Sequence, residues 1–434
     1  MRSMPHARSL FKVSVLSLAM LQALPALAAG DDLDALSLES APAEAAAGVA
    51  SAASTSQIFV EGALGNATQR FQSGSREVNR ASFDLTHSAR LAPGLRAVVS
   101  NRLDYLHPAD PGTDVAVNSL REAYVSWQPE GGNTVVELGR INLRFGPAYG
   151  YNPTDFFRDG ALRTLTTVNP FALRENRLGT VMLRGQHLWS GAALSVAYSP
   201  KITEAPNPNA KVDGWSLDLG ATNNRDRALI ALSTQLSQNV NSQVLLYKEP
   251  SRSATVGANV TALLSDGAVA HAEWSRGSEP DLLSRALGAP GPAVKRNRFA
   301  GGVTYTTLSK LSITAEYQYN GFAVGRSEWQ ALSAAPLAQL GYLRESLRLL
   351  ELAPRQAYLL YVTQKSLGLK NLDLTAFLRI NADDQSRLAW AELRHHWPSF
   401  DLTLQAQQYF GKPSTEFGLS PQRRVVQVLG TYYF

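Results

Sequence analysis

From Gln57 onward, hydrophobic and polar positions alternate with a period of two. In "LSITAEYQYN", Leu311, Ile313, Ala315, Tyr317 and Tyr319 share one face, and Ser312, Thr314, Glu316, Gln318 and Asn320 share the other. "NLDLTAFLRI" sets Leu372, Leu374, Ala376, Leu378 and Ile380 against Asn371, Asp373, Thr375, Phe377 and Arg379. "FDLTLQAQQYF" sets Phe400, Leu402, Leu404 and Ala406 against Asp401, Thr403, Gln405 and Gln407. This period sends successive side chains to opposite faces of a β-strand. Weaker versions recur at 57–66, 78–90, 94–105, 118–128, 133–143, 178–188, 191–199, 226–237, 241–248, 253–264, 267–276, 297–308, 355–366, 384–396 and 423–434. The pattern predicts eighteen strands, with sixteen as the alternative count.

Alternation alone suits a soluble sandwich as well as a membrane barrel. The connections separate the two. Tight links ("LAPG", "PEGG", "WS", "LSK", "WPSF") alternate with long ones at 106–117, 144–177, 277–296, 322–354 and 411–422. Short turns at one rim and long loops at the other are the layout of an outer-membrane barrel. Tyr105, Trp127, Trp189, Trp274, Trp397, Phe400 and Phe410 gather near strand ends, where an aromatic girdle would meet the interface. A nineteenth segment, "GWSLDLGATN" at 214–223, would put the chain ends at opposite rims, so 200–225 is assigned to an outer loop.

The N-terminus supplies the compartment. Arg2, Arg8 and Lys12 precede an apolar stretch from Val13 to Leu24 and the small residues Ala26 and Ala28, the layout of a secretory signal peptide spanning 1–28. The apolar run is shorter than the ~20 residues of a spanning helix. Residues 29–56, acidic and rich in alanine, form a periplasmic linker before a barrel at 57–434. Removal of the signal takes the formal charge from +5 to about +2, which excludes nucleic acid as a partner. The chain has no cysteine, so disulfides, thiolate metal sites and lipidation after the signal are excluded. Hydrophobic residues make up 44% and mean hydropathy is −0.14, a diluted signal of the kind an alternating barrel produces.

The chain stops on "VVQVLGTYYF", an alternating stretch with Val426, Val428, Gly430, Tyr432 and Phe434 on one face. This resembles the C-terminal signature by which bacterial outer-membrane barrels are recognised by their assembly machinery, carried here by Val426, Val428, Tyr432 and Phe434. Gly430 stands where the signature has a bulky residue. Across nearly its whole mature length the chain resembles porin-like barrels. "GRINLRFGPAYGYNPTDFF", through Gly139, Arg140, Gly146, Asn152, Pro153 and Asp155, is similar to a pattern of substrate-specific or uncharacterised outer-membrane channels. The expected fold is therefore an all-β transmembrane antiparallel barrel with long external loops.

The resemblance implies that the third external loop, 144–177, folds inward and narrows the channel. It carries Arg144, Arg158, Arg163, Arg174 and Arg177 against Asp155, Asp159 and Glu175, with Phe156, Phe157 and Phe171 interspersed. Guanidinium forks suit carboxylates; an outer loop pairing its arginines with its own acids or with lipopolysaccharide phosphates is the alternative. Asn152 to Asp155 also read as a turn with a local cap. Among inferred lumen positions are Arg80, Arg96, Arg102, Arg184, Arg379 and Arg394, opposed by Asp84, Asp104, Glu122, Glu273, Glu316, Asp373 and Glu392. The signs nearly cancel, which fits either a transverse field or salt bridges that stiffen the wall. Within 322–354, Leu340, Leu343, Leu347 and Leu350 have helical spacing before Pro354, predicting an amphipathic lid.

These features imply passive diffusion of small polar or carboxylate-bearing solutes, with no cofactor. A structural or assembly-linked barrel without an open pore, and an export conduit for a polymer or lipid, are the alternatives. An enzyme would need a histidine beside a nucleophile or carboxylate pair, and His395 and His396 point to opposite faces of a strand. Expected partners are outer-membrane lipid and lipopolysaccharide, the barrel-assembly machinery, periplasmic chaperones and the solutes. Nothing marks a lipid-face interface, so a monomer is expected.

Overall fold

A computed structural model describes residues 54–434 apart from 110–113, 208–212, 251 and 289–290. The signal peptide and residues 29–53 of the linker lie outside the described residues. Nineteen strand segments form one sheet, and two of them, Ser75–Glu77 and Asn79–Ala92, are a single strand interrupted at Val78, which leaves eighteen strands. In chain order these are β1 (Thr55–Gln69), β2 (Asn79–Ala92 with its short extension), β3 (Leu95–His107), β4 (Ala116–Trp127), β5 (Thr134–Ile141) and β6 (Thr180–Trp189). Next come β7 (Ala192–Ser199), β8 (Arg227–Ser237), β9 (Val240–Lys248), β10 (Thr255–Ser265), β11 (Ala268–Glu279) and β12 (Val294–Thr306). The last are β13 (Leu311–Asn320), β14 (Gln356–Gln364), β15 (Leu372–Asn381), β16 (Arg387–His396), β17 (Phe400–Phe410) and β18 (Gln422–Tyr433).

Every neighbouring pair is antiparallel, and β1 pairs with both β2 and β18, so the sheet closes: Phe59 lies opposite Asp84 on one side and Tyr433 on the other. Closure satisfies the edge groups that an open sheet would leave bare.

The barrel is inside-out. On β13, Ser312, Thr314, Glu316, Gln318 and Asn320 are buried while Ile313 is exposed; on β17, Asp401, Thr403 and Gln405 are buried while Phe400, Leu402 and Leu404 are exposed. Buried polar and exposed apolar faces are what a strand needs between hydrocarbon and a polar lumen. Of the girdle residues, Tyr105, Trp127, Trp189, Trp397, Phe400 and Phe410 are exposed near strand ends, whereas Trp274 is half-buried further along β11.

Connections after even-numbered strands are short, and the long ones all follow odd-numbered strands, so the long loops share one rim. Segment 214–223 is not a strand: Asp218 adopts φ 49°, and the chain then enters a helical turn at Leu219–Thr222. The long lid forms two helices, Arg326–Leu332 and Pro336–Arg348. Its buried face differs from the leucine stripe. Tyr342, Ser346, Gln339 and Leu349 are buried and Leu343 packs beside them, whereas Leu340 and Leu347 are exposed and Leu350 lies past the helix at φ 51°. Tyr342 decides the face, because its hydroxyl donates to Ala353 O at 2.5 Å and accepts from Val324 N at 3.1 Å. That ties the helix to the segments by which the chain enters and leaves the lid.

Candidate functional site

The connection from β5 to β6, residues 142–179, folds into the barrel. Phe145, Ala148, Tyr151, Thr154, Asp155, Phe157, Ala161 and Arg177 are all buried within it. Its outward leg lies on the wall of β11 and β13. Glu273 accepts from Ala148 N at 2.6 Å, Asn152 Nδ2 at 2.9 Å and Thr154 Oγ1 at 3.0 Å. Glu316 accepts from Tyr149 N at 2.7 Å and Gly150 N at 3.0 Å. Approach this close requires glycine. A Cβ at Gly146, where φ is +93°, would sit 2.2 Å from the Glu273 carboxylate, and one at Gly150 would sit 2.3 Å from Gln318 Nε2.

Next to these carboxylates lies an apolar seat. Tyr361, Phe377 and Trp390 project inward from β14, β15 and β16 and stack in sequence, and Tyr149 and Phe171 of the loop pack edge-on against Tyr361 at 5.7 and 5.3 Å. Phe377 stands in the polar phase of its strand. An aromatic at such a position, like Tyr361 and Trp390 on the neighbouring strands, is a sequence signal that something docks on the inner wall.

The tip of the loop turns at Asn152, whose carbonyl accepts from Asp155 N at 3.2 Å. Asp155 bonds Arg177 at 2.8 Å and lies 3.8 Å from Arg174, tying outward and return legs together. Phe156 stacks on Tyr247 at 4.8 Å, and Phe157 lies beneath the Arg227 guanidinium at 4.9 Å. The return leg reaches the opposite wall, where Arg80 donates to Thr166 O at 3.0 Å and Arg121 to Asn176 Oδ1 at 2.8 Å. The loop thus touches both β2–β4 and β11–β14, crossing the lumen.

Five arginines outnumber three acids only when 144–177 is counted alone. Arg158 pairs with Glu351 of the lid at 2.5 Å, and Arg163 pairs with Asp218 of the 200–226 loop at 3.0 Å. Arg174 and Arg177 share Asp155; Arg144 is half-buried at the loop's root, and Glu175 is exposed. Phe157, Arg163 and Arg177 therefore act as struts within the protein and present no surface to a solute. Burial disfavours ionisation of Glu351, but Arg158 and Arg298 outweigh it and hold its carboxyl down at about 2. For Asp159, too, burial is overcome by Arg225 and Arg348, which keep the carboxyl well below its ordinary value.

Along the rest of the wall, charges pair directly. Arg102 meets Glu61, Asp84 and Asp104 at 3.1, 3.4 and 3.0 Å, Arg121 meets Asp84 at 2.5 Å, and Arg80 pairs with Glu61. Asp373 sits at the turn rim with Lys365 at 3.0 Å and His396 at 3.4 Å. Arg96 and Arg379 face the lumen without a hydrogen bond or ion pair among the described residues, and Arg394 keeps a third of its side chain in solvent. Sequence reasoning did not identify Glu61, Arg121, Asp218 or Glu351 as partners, because each lies far along the chain from the oppositely charged residue it meets. Val426, Val428, Tyr432 and Phe434 all point outward. A Cβ at Gly430 would lie 3.3 Å from the Phe400 ring, which explains the missing bulky side chain.

No protein-family model and no curated protein matches the chain. Solved structures do. OccAB1 of Acinetobacter baumannii superposes with a TM-score of 0.55 at 11% identity, over 88% of this chain and 96% of that one. OccK5 (OpdH) of Pseudomonas aeruginosa gives 0.54 at 10% identity, over 88% and 98%. OccK11 (OpdR) of the same organism gives 0.52 at 11%, over 88% and 96%. The likeness is one of fold: a porin-type eighteen-strand barrel.

Proposed function

We propose that the protein is an outer-membrane channel for passive diffusion of small polar or carboxylate-bearing solutes, narrowed by residues 142–179. The observation that carries this reading is the long loop seated across a closed barrel whose inner wall is charged and hydrogen-bonding. Charges in a narrow lumen act more strongly than in open water, where a pair at 4 Å is worth only about 1 kcal/mol. Since Arg158 and Arg163 are matched by Glu351 and Asp218, selectivity falls to the arginines that keep solvent contact, Arg379, Arg96 and Arg394.

In planar bilayers the purified protein conducts, and deletion of 150–172 raises its conductance several-fold. Absence of conductance in both proteins would defeat the channel reading in favour of a structural barrel. We further propose that Phe434 and its outward-facing neighbours form the assembly signal. Its deletion lowers the amount of heat-modifiable protein in the outer membrane while leaving the conductance of inserted molecules unchanged.

A further inference from the structure

The short-turn rim concentrates its cations in one place. Of the tight connections, only those after β12 (307–310) and β14 (365–371) contain lysine or arginine: Lys310, Lys365 and Lys370. The same two turns expose Leu308, Leu367 and Leu369. Hydrogen bonds fasten them into one surface, since Lys365 N donates to Lys310 O at 3.3 Å and Gln364 Nε2 to Ser309 O at 2.7 Å. Lys365 pairs with Asp373 at 3.0 Å, whereas the ammonium groups of Lys310 and Lys370 are exposed and make no ion pair or hydrogen bond among the described residues. The turn after β10 carries an acid, Asp266, so the cationic surface ends there and extends toward β15. Turns at a water-facing rim are built from glycine and polar residues, and clustered exposed leucines mark a contact surface instead.

The complement to this surface lies in the same chain, in residues 29–53 ahead of β1. The stretch 31–39, "DDLDALSLE", holds Asp31, Asp32, Asp34 and Glu39 together with Leu33, Leu36 and Leu38, and no lysine or arginine occurs anywhere in 29–53. β1 starts at this same rim, because Thr55 lies opposite Ser88, close to the turn after β2. Residues 40–53 extend to at most roughly 50 Å at ~3.5 Å each, and the arc from β1 back through β18 to β13 measures about 30 Å at ~5 Å per strand. The acidic stretch therefore reaches the turns. Tethering also keeps it near them at an effective concentration on the order of millimolar, so a few individually weak contacts suffice.

We infer that residues 31–39 dock on the surface formed by turns 307–310 and 365–371, acids toward Lys310 and Lys370 and leucines toward Leu308, Leu367 and Leu369, with residues 40–53 as a strap along the short-turn rim. This inference does not depend on the channel reading. The absence of cysteine from the chain gives it a direct test, because any disulfide must come from an introduced pair. In full-length protein held in a zwitterionic detergent, a Ser37→Cys/Ser309→Cys pair oxidises about ten-fold faster than a Ser37→Cys/Asn239→Cys pair, read by mass spectrometry after the free thiols are blocked. Asn239 is a fair control, since it stands on the turn after β8, about as far around the sheet from β1. Adding Lys310→Glu/Lys370→Glu to the first pair slows its oxidation to the control rate, and high salt slows it in the same direction. Heat-modifiable mobility of the charge-reversed protein stays at the wild-type level, which separates loss of docking from loss of the fold. Equal rates for the two pairs, or a rate that charge reversal leaves unchanged in correctly folded protein, overturns the inference and leaves the two turns to anionic headgroups of the inner leaflet.

Discussion

Two stretches of the inner wall carry buried acids and neutralise them by different means. On β1–β3, Glu61, Asp84 and Asp104 are met by arginines of β2–β4, charge against charge, within the strands themselves. On β11 and β13, Glu273 and Glu316 have no arginine within ion-pair distance among the described residues; their oxygens are met by backbone N–H groups and side chains of the loop, with His271 and Gln318 assisting Glu316. The ion pairs of the first stretch form without the loop, which adds only hydrogen bonds at Arg80, Arg121 and Asp104. The second is completed by it, so its acceptors fix where the constriction lies, much as a sheet edge fixes the strand that joins it.

The largest effect should come from separating loop and acceptors. In Gly146→Val the new side chain would have to occupy the space of the Glu273 carboxylate while adopting a left-handed backbone. The loop cannot keep its seat, and each buried acceptor left without a donor costs about 1–3 kcal/mol. Single-channel conductance of Gly146→Val therefore rises toward that of the 150–172 deletion, and protease cuts appear within 142–179. Wild-type conductance with an uncut loop would show that the carboxylates do not hold it.

Breaking the other stretch has the opposite signature. Arg102→Gln removes the cation shared by Glu61, Asp84 and Asp104, and breaking a buried ion pair of this kind costs about 3–5 kcal/mol. The denaturant midpoint of the refolded barrel in micelles falls, while conductance of the surviving folded protein stays near wild type. A large rise in conductance would mean that this wall, too, positions the loop. Arg379→Gln has the converse effect, smaller in energy and visible in selectivity. Its guanidinium makes no ion pair among the described residues, so stability holds while the reversal potential in a salt gradient shifts toward cations.

The strands and their in-out phase were legible because a period of two is local: the predicted segment at 311–320 coincides with β13, and 57–66 misses β1 only at its ends. The third-loop assignment followed from parity, a property of the whole chain. What the sequence hid was pairing across loops. Nothing near Arg158 announces Glu351, and nothing near Arg163 announces Asp218, so a surplus of arginine in one segment was balanced by acids from two others. The lid failed for a related reason. Leu340 and Leu347 set its apparent apolar face, but Tyr342 and Gln339, which reach across to Ala353 O and Ser414 O, set the buried one.

The smallest effect concerns an acid satisfied by neither means in full. Glu416, in the loop between β17 and β18, accepts from Asn381 Nδ2 at 2.9 Å, with Asp384 bonded to its own backbone N–H at 2.6 Å. Burial, reinforced by Asp384 and Asp383 and opposed by Arg379, pushes its carboxyl up to about 7 from an ordinary 4.5. An acid whose folded value is raised keeps its proton in the fold after the unfolded chain has lost it. Its contribution is therefore intact below 4.5 and is lost as pH rises through about 7. The same loop holds the lid, since Trp329 Nε1 and Gln339 Nε2 both donate to Ser414 O. Hydrogen exchange across 326–348 should accordingly be slower at pH 5 than at pH 8, by an amount on the order of 1 kcal/mol once solvent screening is allowed for. Glu416→Gln, which cannot ionise, should flatten that dependence, and Arg379→Gln should carry it to higher pH by removing the cation that favours the carboxylate. A lid whose exchange is equal at both pH values in the wild type would show that Glu416 titrates without consequence for the loop it sits in.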